Sequence, residues 1–82
     1  MDRNPISVIV KILMATDDIE QGQLAEPAGI SEATVSRRLK KGGWTAEELD
    51  ALARFFDVPV GTFFRPPGEV RDALIARYLL AA

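Results

Sequence analysis

Residues 21–39, QGQLAEPAGISEATVSRRL, decide the fold of this 82-residue chain. Leu24 is placed to face inward from a first short helix. Gly29 can take the positive φ that ends a helix and turns the chain. Ser31 is a good N-cap for a second helix, because its hydroxyl can accept a hydrogen bond from a free backbone N–H. The stretch therefore predicts a helix, a tight glycine turn and a second helix.

The second helix of this pair has an apolar edge and a polar, basic face. Val35 and Leu39 are four residues apart, so both would anchor the helix to the core. The side chains expected to point outward are those of Thr34, Ser36, Arg37, Arg38 and Lys40. A packed pair of short helices that exposes a polar, basic helix is the arrangement that reads the DNA major groove.

The stretch resembles the helix-turn-helix of the Cro/phage-repressor (XRE-like) family of DNA-binding regulators. The matching residues are Gln21, Leu24, Ala25, Gly29, Ile30, Ser31, Thr34, Val35, Ser36 and Leu39. Downstream, TAEELDALARFFDVP resembles the fourth helix of the family and the turn after it, so the resemblance covers residues 6–64. It implies an all-α fold, a compact five- to six-helix lambda-repressor-like DNA-binding domain.

The composition argues against an enzyme. The chain has no histidine and no cysteine. It therefore lacks the commonest general base, the commonest metal ligand and any thiolate or disulfide. The pairs Asp17-Asp18 and Glu47-Glu48 are adjacent in sequence, and neighbouring residues on a helix point to different faces. We expect no catalytic residue, metal, cofactor or small-molecule ligand.

Length and hydropathy indicate one small domain outside the membrane. Eighty-two residues make a single domain with little stability to spare, which favours an oligomer. No apolar run approaches the roughly 20 residues that cross a bilayer. The N-terminal apolar stretch has no secretory cleavage site after it. We expect a protein of the bacterial cytoplasm, associated with the nucleoid.

The charge is unevenly distributed along the chain. The net charge is −2 and the isoelectric point is about 5.0, which counts against a generic nucleic-acid binder. Residues 31–41 nevertheless carry a local net charge of +3, which leaves −5 on the rest of the chain. A basic face on an acidic body can orient a protein toward phosphates while it limits non-specific adhesion.

The first two helices differ in how clearly they are specified. Asn4 and Pro5 indicate an N-cap and a first helical residue. Residues 6–16, ISVIVKILMAT, have apolar side chains at helical spacing; their β-branched residues also suit a strand, but the caps and the family pattern favour a helix. The second helix, about residues 20–28, contains Pro27, and an interior proline costs about 3 kcal/mol. We expect that helix to be short, kinked or finished just before the proline.

The third and fourth helices have clear boundaries. The third, residues 31–41, ends at Gly42-Gly43, a strong C-cap signal. Thr45 and Glu48 form a capping box that opens the fourth helix. The core-facing residues of the fourth helix are expected to be Leu49, Leu52, Ala53 and Phe56.

A short fifth helix is expected at residues 60–64, VGTFF. It follows the turn formed by residues 57–59. One of its two aromatic side chains, Phe63 or Phe64, is expected to plug the core.

The stretch Arg65-Pro66-Pro67-Gly68 is a break between two parts of the chain. It separates a helix-turn-helix domain, residues 1–65, from a terminal helix, residues 66–82. One stripe of that helix holds Val70, Ala73, Leu74, Arg77 and Tyr78, and a second holds Ile75, Leu79 and Ala82. Either the small core absorbs both stripes, or one is left for a partner. We expect a homodimer with contacts at Val70, Leu74, Ile75, Tyr78 and Leu79.

The N-terminal half of a recognition helix contacts base edges. The base-reading residues are expected to be Glu32, Ala33, Ser36 and Arg37. Arg37 is the best candidate for a bidentate bond to guanine, worth about 1–3 kcal/mol of discrimination. Glu32 can accept from cytosine N4, and Ala33 can contact a thymine methyl.

Phosphate contacts are expected from Gln21, Thr34, Arg38, Lys40 and Lys41. They would hold the register on DNA without reading sequence. Gln21 is included because the family often bonds a phosphate at this point. Arg38 stands where many relatives carry an apolar residue, so its stem is expected to pack on the domain while its head reaches a phosphate.

The sequence is compatible with two functions. The first is a sequence-specific transcriptional regulator of double-stranded DNA, a small phage-type repressor or Cro-like protein that binds a palindromic operator as a dimer. The second is a protein-interaction module, antitoxin-like or co-regulatory, that uses the helix at residues 68–82 and binds DNA weakly or not at all.

Overall fold

The computed structural model describes residues 4–81, with side chains described over residues 4–80. The five α-helices are α1 (Pro5–Thr16), α2 (Ala25–Ala28), α3 (Glu32–Lys41), α4 (Ala46–Phe56) and α5 (Pro67–Ala81). Two 3₁₀ helices, Gln21–Leu24 and Val60–Phe64, precede α2 and follow α4. The described chain contains no strand, and the all-α prediction is confirmed.

α1 begins where the sequence places a cap. The Asn4 side chain accepts a hydrogen bond from the Ser7 N–H at 3.1 Å, and Pro5 occupies the first helical position. Ile9, Val10 and Leu13 lie buried on one face of the helix. The helical interpretation of this β-branched segment is therefore confirmed, because burial of an apolar face outweighs the modest helix propensity of valine and isoleucine.

The second helix of the motif consists of two short segments, and Pro27 lies in the second of them. The chain enters through the 3₁₀ helix Gln21–Leu24, in which the Gln23 side chain accepts a hydrogen bond from the Glu20 N–H at 2.7 Å. It then continues as the four-residue helix α2. Pro27 thereby falls in the first turn of an α-helix, where a backbone N–H has no intrahelical partner to lose. The prediction of a short helix is confirmed, but the helix does not finish before the proline, because α2 continues through Pro27 to Ala28.

The link from α3 to α4 depends on two consecutive glycines. Gly42 and Gly43 both have positive φ, 80° and 81°. Gly42 is also buried beneath the side chain of Asn4, and a Cβ at position 42 would collide with the Asn4 amide. The same asparagine therefore caps α1 and covers the end of α3.

One hydrophobic core joins all of these elements. The buried apolar residues are Ile9, Val10, Leu13, Leu24, Ala28, Val35, Leu39, Leu49, Leu52, Ala53, Phe56, Phe63 and Val70. The four residues expected to face inward from α4 are all among them. Of the two candidate aromatic plugs, Phe63 is 1% exposed and Phe64 is 68% exposed, so Phe63 fills the core.

α5 packs against α1 and contributes to this core. Val70 is buried and Leu74 is half-buried against the core, while Ile75, Tyr78 and Leu79 are exposed. The core therefore does not absorb both stripes of α5, since the helix packs on it through Val70 and Leu74. Residues 1–3 and Ala82, which the sequence analysis assigned to the two parts of the chain, lie outside the described residues. None of the described helices is long and apolar enough to span a bilayer.

Candidate nucleic-acid interface

The turn between α2 and α3 is built from local hydrogen bonds. Gly29 adopts the left-handed conformation, φ 72°, and its N–H donates to the Glu26 carbonyl at 3.1 Å. The next N–H, of Ile30, donates to the Ala25 carbonyl at 3.0 Å. Both bonds satisfy carbonyls at the end of α2 that would otherwise lack a partner, as in a Schellman-type cap.

α3 begins at once after this turn, capped by Ser31. The Ser31 hydroxyl accepts from the Thr34 N–H at 3.1 Å and lies 2.9 Å from the Thr34 hydroxyl. The turn and the cap fix where α3 starts and in which direction it leaves the turn.

α3 has a buried edge and an exposed face. Val35 and Leu39 are buried in the core, as expected. Glu32, Ala33 and Arg37 are exposed on the helix surface. Ser36 and Thr34 are half-buried, and Lys40, Lys41 and Gln21 are exposed. The four residues expected to read bases form two pairs one turn apart, Glu32 with Ser36 and Ala33 with Arg37, so the helix brings them onto one side.

The exposed cations of α3 are not neutralised within the described chain. The ion pairs among residues 4–80 involve Arg38, Arg54, Arg65 and Arg71. Arg37, Lys40 and Lys41 have no carboxylate partner in that part of the molecule. Their positions, three and four residues apart, form one basic strip along the helix.

Arg38 has a different environment from the other cations of α3. Its Nε and Nη2 donate to the two carboxylate oxygens of Glu48 at 2.9 and 3.1 Å. The Arg38 side chain is 20% exposed and that of Glu48 is 8% exposed. The Arg38 guanidinium is thus bonded to a residue of α4. This environment differs from that of Thr34, Lys40 and Lys41, the other residues of α3 expected to bind phosphate.

Sequence reasoning missed the second role of Glu48. The residue was expected as one half of a capping box, and that box is present: Glu48 accepts from the Thr45 N–H at 3.2 Å, and Thr45 accepts from the Glu48 N–H at 3.1 Å. The available signal was an arginine at a position where the family resemblance led us to expect an apolar residue. A cation at such a position needs a buried acid partner.

A second set of hydrogen bonds ties the end of α3 to α1 and to the following loop. The Ser7 hydroxyl donates to the Arg38 carbonyl at 2.8 Å, and the Trp44 indole N–H donates to the Ser7 hydroxyl at 3.0 Å. Among the described residues, no buried side-chain polar atom lacks a partner. The C-terminal half of α3 is therefore bonded to α1 through Ser7 and to α4 through Glu48.

The ion pair shifts the titration of both its members. The hydrogen bonds from Arg38 lower the pKa of the Glu48 carboxyl; burial opposes this shift, and the Thr45 N–H supports it. The same contact with Glu48 raises the pKa of Arg38. The pair is therefore ionised throughout the neutral range.

We expect acid to weaken the fold through Glu48. Because its folded-state pKa lies below the ordinary value of 4.5, its stabilising effect is complete above that value. The effect is lost as the pH falls through the folded-state pKa. Thermal melts between pH 7 and pH 3 should show a steeper fall in Tm below about pH 4.5 for the wild type than for Glu48→Gln. Parallel curves for the two proteins would contradict this expectation.

The family model of the Cro/C1-type HTH DNA-binding domain matches residues 10–69, from the first helix into the start of α5. No curated protein gives a match. No solved structure gives a match either.

Proposed function

Because the chain belongs to the Cro/C1-type helix-turn-helix family of DNA-binding domains, we propose that it is a sequence-specific transcriptional regulator that reads the major groove with α3. The observation that carries this proposal is the two-sided character of α3. Val35 and Leu39 hold one edge in the core, while the opposite face presents polar and basic side chains to the exterior. A recognition helix needs both properties, since it must be fixed to its domain and still enter a groove.

The exposed N-terminal half of α3 supplies the base contacts in this proposal. Arg37 bonds a guanine through two nitrogens, and Glu32 accepts from the N4 amino group of cytosine. Ala33 contacts a thymine methyl, and Ser36 donates or accepts beside them. Arg37 has the largest effect on base choice because a bidentate pair discriminates most strongly.

Phosphate contacts flank this reading face. Lys40 and Lys41 lie at the C-terminal end of α3, and Gln21 lies at the start of the 3₁₀ helix before α2. Thr34 adds a hydroxyl at the N-terminal end. These contacts set the register of the protein on the duplex and contribute equally to every sequence. We leave Arg38 out of this set because Glu48 holds its guanidinium.

We further propose that two copies bind together, as a phage-type repressor that acts by blocking polymerase at a promoter. The exposed apolar residues of α5, Ile75, Tyr78 and Leu79, form the contact between copies, while Val70 and Leu74 support α5 from within each domain. A symmetric pair places its recognition helices about 34 Å apart and so requires a palindromic operator. The site of action is the nucleoid in the bacterial cytoplasm.

Selection of bound sequences from a random duplex pool tests the proposal directly. We expect two inverted half-sites whose centres lie about 10 base pairs apart. A gel-shift titration on the selected site should show affinity that falls steeply with salt. A pool that shows no enrichment, together with no salt-dependent binding, would favour the alternative function as a protein-interaction module. The exposed apolar side of α5 would then be its contact surface.

Arg37→Ala is expected to relax base preference at one position of each half-site. The loss should be about 1–3 kcal/mol of discrimination there, because one bidentate contact is removed. The selection experiment repeated with this variant measures the effect. Arg54→Ala is the matched control, since Arg54 is exposed on α4 and pairs with Asp50. An unaltered sequence profile would remove Arg37 from the reading set.

Leu79→Asp is expected to separate the two copies. It places a charge in the proposed apolar contact without disturbing the core, which α5 reaches through Val70 and Leu74. Sedimentation should shift from dimer to monomer at concentrations where the wild type is dimeric. Val60→Asp serves as the control, because Val60 is an exposed apolar residue outside α5. A dimer that survives Leu79→Asp would place the contact elsewhere.

A further inference from the structure

We infer that Glu48 lowers the sequence-independent affinity of this protein for DNA by holding Arg38 away from the phosphate backbone. The inference rests on the proposed function, because it concerns how α3 meets a duplex. Glu48 contacts no DNA in this scheme. It is a positioning residue that acts through Arg38.

The geometry of the pair supports a holding role. Glu48 engages Nε and Nη2 of Arg38 at once, which uses one edge of the planar guanidinium. The remaining nitrogen, Nη1, lies beside Gly43 in the loop after α3. It is 3.6 Å from the position that a Cβ atom would occupy if residue 43 were not glycine. All three nitrogens of the guanidinium therefore lie against α4 or the loop after α3.

The position of Arg38 on α3 explains why its release would matter. It lies one turn before Lys41, an exposed residue of the basic strip. Its side chain is partly exposed already, so the guanidinium can reach solvent by rotation about its own side-chain bonds. Freed from Glu48, it would become a fourth mobile cation on this helix.

An extra cation on the DNA-facing helix has a defined thermodynamic signature. Each phosphate that a protein neutralises makes the plot of log K against log salt steeper by about 0.9 on duplex DNA. The contact also raises affinity for all sequences, since phosphates carry no sequence information. A purely structural role for Glu48 predicts the opposite result: weaker binding with no steeper slope.

The experiment compares salt titrations on a random-sequence duplex. For Glu48→Gln we expect tighter binding at low salt and a slope steeper than that of the wild type by about 0.9 per bound copy. Glutamine keeps an acceptor for the Thr45 N–H but removes the charge that holds the guanidinium. Glu47→Gln is the matched control, because Glu47 is an exposed neighbour in the first turn of α4 and makes no ion pair within residues 4–80. It should keep the slope of the wild type.

The double variant Arg38→Met with Glu48→Met provides a second test in case Glu48→Gln does not fold. Replacement of a buried ion pair by apolar residues of similar size is often neutral or stabilising. We expect its slope to equal that of the wild type, because the pair contributes no phosphate contact. A slope shallower by about 0.9 would show that Arg38 already binds a phosphate, and the inference would be wrong.

The remaining outcomes separate this inference from the proposed function. If the wild type binds DNA and a folded Glu48→Gln variant has the same slope, the inference alone is overturned. If the wild type binds no duplex at any salt concentration, the proposed function fails and the inference fails with it. Thermal melts of every variant establish which proteins are folded.

Discussion

Replacement of Phe63 by alanine is expected to lower the free energy of unfolding by about 3–5 kcal/mol. Phe63 is the largest of the fully buried side chains and projects from the 3₁₀ helix Val60–Phe64. That helix packs against α1 and α4, so the ring fills the space between the two. Truncation removes its apolar contacts and leaves a cavity that the short helices around it can close only in part.

Urea denaturation of the two neighbouring variants measures this effect. Phe64→Ala is a closely matched control, because Phe64 belongs to the same 3₁₀ helix and is largely exposed. We expect it to change stability by less than about 0.5 kcal/mol. For a domain whose whole stability is about 5–15 kcal/mol, the Phe63 variant should unfold at a clearly lower urea concentration than the wild type. Equal losses for both variants would show that Phe63 is not the plug of this core.

The second large effect is expected from Lys40→Ala combined with Lys41→Ala. Both residues lie in the last turn of α3 and are exposed. Removal of two phosphate contacts should flatten the salt slope by about 1.8 per bound copy and weaken every duplex by a similar factor. Alanine is the best helix former, so α3 itself should persist.

A double variant of equal charge tests whether this result is local. Arg54→Ala with Arg65→Ala removes two exposed cations that lie outside α3 and have carboxylate partners in the fold. We expect its salt slope to stay near that of the wild type. If only one DNA sequence is weakened by the lysine substitutions, the two lysines read bases and do not bind phosphates.

The features that sequence reasoning predicted well are those determined over a few residues. Gly29 and Ser31 specify the turn and the start of α3, and Thr45 with Glu48 specifies the start of α4. Each depends on the backbone conformation or on a side-chain hydrogen bond within three or four residues of the chain. The shortness of the second helix belongs here too, because an interior proline within a few residues disfavours a long helix.

The features that sequence reasoning missed require contacts between distant parts of the chain. Arg38 and Glu48 belong to different helices. Whether the guanidinium reaches the carboxylate depends on how α3 packs against α4, which the sequence does not give. Phe63 and Phe64 are adjacent and equally apolar, so the choice between them depends on how the 3₁₀ helix is rotated. The division of α5 into packed and exposed residues likewise depends on its approach to α1.

The Asn4 side chain packs over Gly42, so the N-terminal cap of α1 and the C-terminal end of α3 depend on each other. A larger residue at position 42 would collide with Asn4 and would also be strained by the positive φ of 80°. A smaller residue at position 4, such as glycine or alanine, would relieve only the collision and would give up the side-chain cap of α1. Variation at either site is therefore restricted by the other. The residue at which α3 ends is thus tied to the residue at which α1 begins, whatever side chains the outer face of α3 carries.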